Sequence, residues 1–198
     1  MKKKSPPVYM WAAVIGVVGV AYAGYESQNR TAFDPAAYKP LLHLIARAES
    51  DGNYNAYFGN ASNNSIKFTS MTIAEVQDWQ KEFINEGSAS SAVGRYQIID
   101  TTLDGLVKEM KLDTSEKFDP VMQDRMAVTL LERRGARDYV RDRLTPEQFA
   151  ANLAMEWAAL PKVVGDNPEE SYYASDGLNR SHIKTSEILA TIKSINTK

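Results

Sequence analysis

The stretch LLHLIARAES, residues 41–50, decides the fold and carries the most informative residue of the chain. Its apolar residues recur every three or four positions, which predicts a helix with one buried face. Glu49 lies four residues after Ile45 and therefore falls on that same face. A carboxyl on an apolar face loses hydration, so its pKa should rise, and a carboxyl that keeps its proton near neutral pH suits a general acid. A carboxylate at a helix end can also simply point into water, so the pattern alone leaves both interpretations open.

The composition of the 198-residue chain excludes several classes of function. A formal net charge of −2 gives no broad basic field, so nucleic-acid binding has little support. The chain has no cysteine, which rules out disulfides, thiolate nucleophiles and zinc bound by cysteine. Its two histidines, His43 and His182, cannot form a metal site by themselves. We therefore expect no metal, no cofactor and no nucleic-acid partner.

The N-terminal sequence resembles an export or membrane signal. Three lysines at positions 2–4 precede an uncharged run, residues 8–25, which is long enough to cross a bilayer. We predict an uncleaved signal-anchor, a transmembrane helix within residues 1–25, followed by a polar tether at 26–37. A weakly held anchor that leaves the membrane, and a signal peptide cleaved near Ala23, stay open as alternatives. The preferred interpretation predicts a single-pass inner-membrane protein with its domain on the periplasmic side.

The rest of the chain is typical of a mainly helical domain with a small β element. Capping signals predict four further helices, which begin at Thr72, Thr101, Asp119 and Thr145. The last of these is expected to continue through Trp157. Residues 51–70 are rich in Asn, Gly and Ser, and 66–69 are the best candidate for a strand. We therefore predict an α+β domain over residues 38–198.

Two motifs downstream of Glu49 resemble those of a known enzyme family. GRYQ at residues 94–97 is a glycine turn followed by polar and aromatic residues, and WAALP follows at 157–161. An acid at a helix end, a Gly-Arg-Tyr-Gln motif and a Trp-Ala-x-Leu-Pro motif occur in this order in the phage lambda endolysin family of lysozyme-like transglycosylases. The chain resembles that family over roughly residues 38–198.

The resemblance implies a two-lobed, lysozyme-like fold and cleavage of the β-1,4 bond between N-acetylmuramic acid and N-acetylglucosamine in peptidoglycan glycan strands. In the lambda-like family the product is a 1,6-anhydro sugar. Glu49 would protonate the leaving glycosidic oxygen and then act as base on the C6 hydroxyl. We therefore expect a lytic transglycosylase that serves phage lysis, a virion or a secretion machine. A hydrolytic muramidase and a catalytically silent, membrane-anchored wall-binding protein remain alternatives, and the oligomeric state stays unknown.

Several residues are candidates for substrate binding. They are Ser50, Arg95, Tyr96, Gln97, Tyr172 and Tyr173. Tyr96 and Gln97 are expected to line the cleft, because a glutamine amide offers both a donor and an acceptor to acetamido groups. Arg95 suits either a ligand role or an anchor of the turn through a carboxylate. The two loop tyrosines suit either stacking on sugar rings or packing on the C-terminal helix, and Ser50 suits a structural hydrogen bond or a substrate contact.

A second carboxyl near Glu49 would favour a hydrolase, because ordinary glycosidases work with two carboxyl groups. The candidates are Asp51, Asp104 and Glu156. Each suits a structural role better than a catalytic one, and Glu156, expected on a helix, is the one that could enter the cleft.

Overall fold

Helices joined by turns build the part of the chain that the computed structural model describes, residues 35–195. Seven α-helices lie in this range, and we number them in chain order. They are α1 (Lys39–Ser50), α2 (Ile73–Asn85), α3 (Asp100–Met110), α4 (Pro120–Arg133), α5 (Ala136–Val140), α6 (Pro146–Ala154) and α7 (Thr185–Ile195). Short 3-10 segments accompany them at Pro35–Tyr38, Phe68–Ser70 and Ala174–Asp176.

Helix α1 supplies much of the core because its apolar face packs against two other helices. Leu41 and Ile45 are fully buried, as their spacing predicts. Burial of each such side chain contributes roughly 1.5–3 kcal/mol. Helix α1 contacts α4 and α7, and α6 contacts α7 in turn. At the start of α1 the Tyr38 hydroxyl donates to the Ala136 carbonyl (2.9 Å), which ties this end of the helix to α5.

Helices α2 and α3 pack on each other, and α2 also packs on the loop region 51–70. A capping box begins α2 at Thr72, as predicted. The Trp79 ring on α2 lies edge-on to Phe68, with centroids 4.7 Å apart, and stacks on Phe83 at 4.6 Å. Aromatic pairs of this kind contribute about 0.5–1.5 kcal/mol beyond their buried area. The cluster therefore fixes the second half of the loop region against α2.

The prediction of a small β element, and with it the α+β class, is wrong. The described residues contain isolated bridges, such as the one between Val93 and Ile98, but no sheet. Residues 66–69, the predicted strand, run into a 3-10 segment instead. Asn63 explains the difference: its Nδ2 donates to the Ile66 carbonyl (2.8 Å) and its Oδ1 accepts from the Ile66 N–H (3.2 Å). Backbone groups that a strand would pair are thus already bound by a side chain.

The predicted transmembrane segment, residues 8–25, lies outside the described residues. Within residues 35–195 no helix combines the length and the apolar character that crossing a membrane requires. On this finding we withdraw the transmembrane helix from the fold class, together with the single-pass inner-membrane location. The boundaries at residues 25 and 37 stay a prediction.

Candidate active site

Glu49 lies in the last turn of α1, and its carboxyl turns toward the interior. Its Oε1 accepts a hydrogen bond from the backbone N–H of Ala159 (2.9 Å). Burial raises the pKa of Glu49 from 4.5 to about 7, and the Ala159 hydrogen bond opposes that rise because it favours the charged form. The helix ends one residue later at Ser50, and the C-cap residue Asp51 adopts the left-handed conformation (φ +53°) and is exposed. This ending leaves Glu49 facing the interior while the chain turns away.

Glu49 lines two concave regions of the surface. The larger, which we call the cleft, has a volume of about 500 Å³. Its lining includes Glu49, Tyr96, Gln97, Glu156, Trp157 and Tyr173. The smaller region, about 290 Å³, is lined by Arg47, Asp51 and His182 among others. An elongated ligand that occupied both regions would pass the Glu49 carboxyl.

The GRYQ motif forms a tight turn at one wall of the cleft. Val93 and Ile98 close the turn with two backbone hydrogen bonds, of 3.1 and 2.9 Å. Gly94 has a φ of +78°, which a glycine adopts without steric cost. Gln97 also has a positive φ (+48°), which is uncommon for a residue with a side chain, and its Nε2 donates to the Gly94 carbonyl (3.0 Å). The turn therefore presents Tyr96 and Gln97 to the cleft.

Ser50 and Arg95 fasten this turn to the end of α1. The Ser50 hydroxyl donates to the Arg95 carbonyl (2.7 Å) and lies 3.1 Å from the Ala46 carbonyl. The Arg95 guanidinium donates to the Gly52 carbonyl (3.1 Å) and lies over the Tyr54 ring, 4.7 Å from its centroid. Arg95 thus anchors the turn through a backbone carbonyl rather than a carboxylate, and it does not line the cleft. Both side chains therefore connect the motif to the end of α1, where Glu49 lies.

The two loop tyrosines differ in their positions. Tyr173 lines the cleft, is 38% exposed, and its hydroxyl donates to the Met155 carbonyl (2.8 Å). Tyr172 does not line the cleft; it is 50% exposed and packs edge-on against Tyr173, with centroids 5.1 Å apart. The structure therefore brings Tyr173 to the cleft together with Glu49, but not Tyr172.

Two further carboxyls, Glu156 and Asp176, line the cleft. Asp176 is exposed, and its Oδ1 accepts from the backbone N–H groups of Leu178 (2.8 Å) and Asn179 (2.9 Å). Glu156 is the less exposed of the two. It follows the end of α6 at Ala154 and is not on a helix, contrary to the prediction. Its Oε2 accepts from the Arg134 guanidinium at 2.8 Å, and Arg134 also lines the cleft. Asp104 does not line the cleft; its Oδ1 accepts a hydrogen bond from the Gln77 side chain at the exposed surface (2.6 Å). Within the described residues, no group of three or more His, Asp or Glu side chains could hold a metal ion.

Two buried glutamines that support the turn were missed by sequence analysis. Gln80, fully buried on α2, donates to the carbonyls of Ser91 and Ile98 (both 2.9 Å). Gln123, fully buried on α4, accepts from the Arg95 N–H (2.9 Å). The available signal was an amide side chain at a helix position where the apolar spacing places the core.

The chain is similar to known proteins. A family model described as Endolysin matches residues 39–182. Among solved structures, the lysozyme of bacteriophage lambda complexed with a chitohexasaccharide matches with a TM-score of 0.49 and 19% sequence identity. That match covers 82% of this chain and 95% of the lambda chain. No curated protein sequence matches the chain. Because the family model spans most of the sequence, the chain belongs to the endolysin family and is a peptidoglycan-cleaving enzyme of the muramidase or transglycosylase type.

Proposed function

We propose that this endolysin is a lytic transglycosylase, which cleaves the β-1,4 bond between N-acetylmuramic acid and N-acetylglucosamine and leaves 1,6-anhydro ends. The observation that carries the proposal is the Glu49 carboxyl, which lines the cleft with its pKa raised to about 7. A group with this pKa is protonated in a large fraction of molecules near neutral pH and can also accept a proton, so one residue can serve as acid and then as base.

The reaction needs two proton transfers by the same carboxyl. Glu49 first gives its proton to the glycosidic oxygen, the bond from that oxygen to C1 of the muramoyl unit breaks, and the glucosamine unit leaves as an alcohol. The Glu49 carboxylate then takes the proton from the C6 hydroxyl of the muramoyl unit, and that oxygen bonds to C1. The anhydro ring closes, the enzyme returns to its protonated form, and no water is consumed.

The hydrogen bond from Ala159 suits both halves of this cycle. It occupies Oε1 of Glu49 and fixes the carboxyl plane, while Oε2 accepts no hydrogen bond from the described residues. The proton to be transferred can therefore reside on Oε2. When the carboxylate forms, the N–H of Ala159 stabilises its charge, which keeps the pKa from rising further. Residue 159 belongs to the WAALP motif, which gives that motif a role in the proposal.

The position of Glu156 favours one acid over two. Its carboxylate is paired with Arg134 and its side chain is only 10% exposed, so its oxygens already have a charged partner. A catalytic base for hydrolysis would need to hold and activate a water molecule. A hydrolytic muramidase is nevertheless the second candidate, because Glu156 lines the same cleft as Glu49.

The cleft offers suitable groups for a peptidoglycan strand. The Oε1 of Gln97 accepts no hydrogen bond from the described residues and can accept one from the N–H of an acetamido group. The ring of Tyr173 is partly exposed and can pack against the apolar face of a sugar. Ser50 and Arg95 act on the substrate only indirectly in this proposal, by holding the turn.

Mass spectrometry of the muropeptides released from purified peptidoglycan tests the reaction type. With digestion in heavy-oxygen water, we expect muramoyl ends that are one water lighter than reducing ends and that contain no heavy oxygen. Reducing ends that carry heavy oxygen would instead establish hydrolysis, and the transglycosylase proposal would be abandoned. A hydrolytic muramidase digest in the same water provides the control for label incorporation.

A further inference from the structure

Helix α4 supplies the support beneath the GRYQ turn through two adjacent residues. Gln123 holds the backbone: its Oε1 accepts from the Arg95 N–H, while its Nε2 donates to the carbonyls of Phe118 (2.9 Å) and Tyr54 (3.1 Å). The Gln123 side chain is fully buried. The amide therefore fixes the turn relative to α4 and to the loop that follows α1.

Asp124 holds side chains of the same region. Its Oδ1 accepts from the Tyr96 hydroxyl (2.8 Å), and its two oxygens accept from the Tyr54 hydroxyl at 3.0 and 3.1 Å. Tyr96 is only 2% exposed, yet it lines the cleft, whereas Tyr54 and Asp124 do not line it. One carboxylate thus binds two phenols, and one of those phenols borders the cleft.

The hydroxyl of Tyr96 donates to Asp124, a residue that does not line the cleft. Burial, reinforced by the charge of Asp124, holds the pKa of this phenol well above its usual range, so it stays a proton donor. Because the hydroxyl proton of Tyr96 is donated to Asp124, Tyr96 presents its ring rather than its hydroxyl to the cleft. The Arg95 guanidinium lies over both tyrosine rings, 4.7 Å from the Tyr54 centroid and 5.8 Å from that of Tyr96, and packs them in place.

Loss of the carboxylate would leave a buried phenol without an acceptor. An unsatisfied buried hydroxyl costs about 1–3 kcal/mol, so Tyr96 would rotate to find another partner. Gln97 is the next residue and already occupies an uncommon positive-φ conformation, which only the surrounding contacts maintain. A rotation of Tyr96 would therefore move the Gln97 amide within the cleft.

We propose that Asp124 is a positioning residue for glycan cleavage, which acts by holding Tyr96 and, through it, Gln97 in the cleft wall. The inference rests on the proposed function, since it takes the cleft beside Glu49 as the place where the glycan is cut. Misplacement of substrate-positioning groups by about 1 Å can lower a rate by about a hundredfold. Asp124→Ala should therefore lower kcat/KM for peptidoglycan by about tenfold to a hundredfold.

A double-mutant cycle with a matched control tests this role. Tyr96→Phe and Tyr54→Phe each remove one phenol that donates to Asp124, but only Tyr96 lines the cleft. Each variant is assayed at a temperature where thermal melting shows it to be folded. We expect Tyr96→Phe to lower kcat/KM, Tyr54→Phe to change it less than about twofold, and Asp124→Ala to add little in the Tyr96→Phe background.

Three results would overturn the inference. They are full kcat/KM in Asp124→Ala, equal losses in Tyr54→Phe and Tyr96→Phe, or fully additive losses in the double variant. If Asp124→Ala does not fold, the comparison of Tyr96→Phe with Tyr54→Phe decides alone. Glu49→Gln is assayed in parallel. If Glu49→Gln is inactive and Asp124→Ala is fully active, only the positioning role is refuted. If Glu49→Gln is active, the proposed function itself is refuted.

Discussion

At Glu49 two contributions to the carboxyl's pKa oppose each other, and burial outweighs the hydrogen bond from Ala159. The pKa of about 7 that results places the acid at the border between its two protonation states under ordinary conditions. The same burial that prepares the proton for transfer also makes ionisation unfavourable for the folded protein. Two predictions at the residue scale follow from this single cause.

The activity should fall as pH rises through the pKa of Glu49. In the free enzyme the acid must carry its proton for the first step, so kcat/KM should decline above a midpoint near 7. Initial rates of turbidity loss by purified peptidoglycan, measured from about pH 5 to about pH 9, provide the profile. A rate that instead rises through neutral pH would show that Glu49 is needed as a carboxylate at the start, and would contradict the role of acid.

Glu49→Gln should stabilise the fold, and more so at alkaline pH. The pKa of Glu49 is higher in the folded chain, about 7, than the ordinary 4.5 that we take for the unfolded chain. Below pH 4.5 the carboxyl keeps its proton in both the folded and the unfolded chain, so the substitution changes nothing through this effect. As pH rises from 4.5 the unfolded chain loses the proton first, which lowers the free energy of unfolding of the wild type. The loss is complete above pH 7, where the folded chain is ionised too. The gain in unfolding free energy is up to about 3 kcal/mol.

Urea unfolding of the wild type and Glu49→Gln at pH values on both sides of this window measures the effect. Glu82→Gln, at an exposed position of α2, serves as the control and should change stability little at either pH. A Glu49→Gln variant that is less stable than the wild type above pH 7 would contradict the account.

At the scale of single elements, the GRYQ turn depends on its first residue. A Cβ at position 94 would overlap Oε1 of Gln123 and lie 3.0 Å from the Phe118 ring, in addition to the strain of a positive φ. Gly94→Ala should therefore destabilise the fold by about 2–4 kcal/mol and lower activity. Gly59→Ala is the matched control, because Gly59 has a similar φ (+81°) with nothing within 4 Å of the added Cβ.

The difference between the two alanine variants isolates the contact with Gln123. Urea unfolding should place Gly94→Ala well below Gly59→Ala in stability, since Gly59→Ala loses only about 1 kcal/mol to backbone strain. Equal losses would mean that Gln123 does not hold the turn as the structure describes.

The capping box of α6 is the second prediction at this scale. The Thr145 hydroxyl accepts from the Gln148 N–H (3.2 Å), and the Gln148 side chain accepts from the Thr145 N–H (2.9 Å). Thr145→Ala should cost about 0.5–2 kcal/mol, while Thr145→Ser should keep most of the stability because it retains the oxygen. Thermal unfolding of both variants checks this, and an unchanged Tm in Thr145→Ala would contradict it.

Helix starts were predictable from sequence where the cap is local. Thr72, Asp119 and Thr145 each bind a backbone N–H three residues ahead, so a few letters of sequence contain the whole interaction. The prediction of Thr101 as a cap was wrong by two residues, because the N-cap of α3 is Ile99 and its side chain makes no capping hydrogen bond. The N–H of Asp100, the first residue of α3, is bound instead by the hydroxyl of Ser91 (2.9 Å). That partner is not local in sequence and could not be read from a capping pattern.

The end of α6 was mispredicted for a similar reason. Sequence periodicity favours a helix through Trp157, but α6 ends at Ala154. The Met155 carbonyl accepts from the Tyr173 hydroxyl (2.8 Å), and the Glu156 N–H donates to the Leu153 carbonyl three residues back (2.9 Å), which tightens the last turn. This early ending matters, because the turns that follow bring the N–H of Ala159 to Glu49.

At the scale of the whole described structure, sequence patterns identified the motifs that border the cleft but not what holds them together. Glu49, the GRYQ turn and the WAALP motif could be named because each is a short continuous stretch. The strand predicted at residues 66–69, within the loop region 51–70, was wrong, since Asn63 replaces backbone pairing by side-chain hydrogen bonds. The supports from Gln123 and Asp124 join residues that are 28 to 70 positions apart, so no local pattern reports them.

The central claim is that a single partly buried acid breaks the glycan chain. The most direct test compares the wild type with Glu49→Gln in the release of soluble muropeptides from purified peptidoglycan, at a pH of about 6 where the acid is largely protonated. We predict that Glu49→Gln is folded, at least as stable as the wild type, and slower by about 10²- to 10⁴-fold. A folded Glu49→Gln that retains more than about a tenth of the wild-type rate would contradict the account.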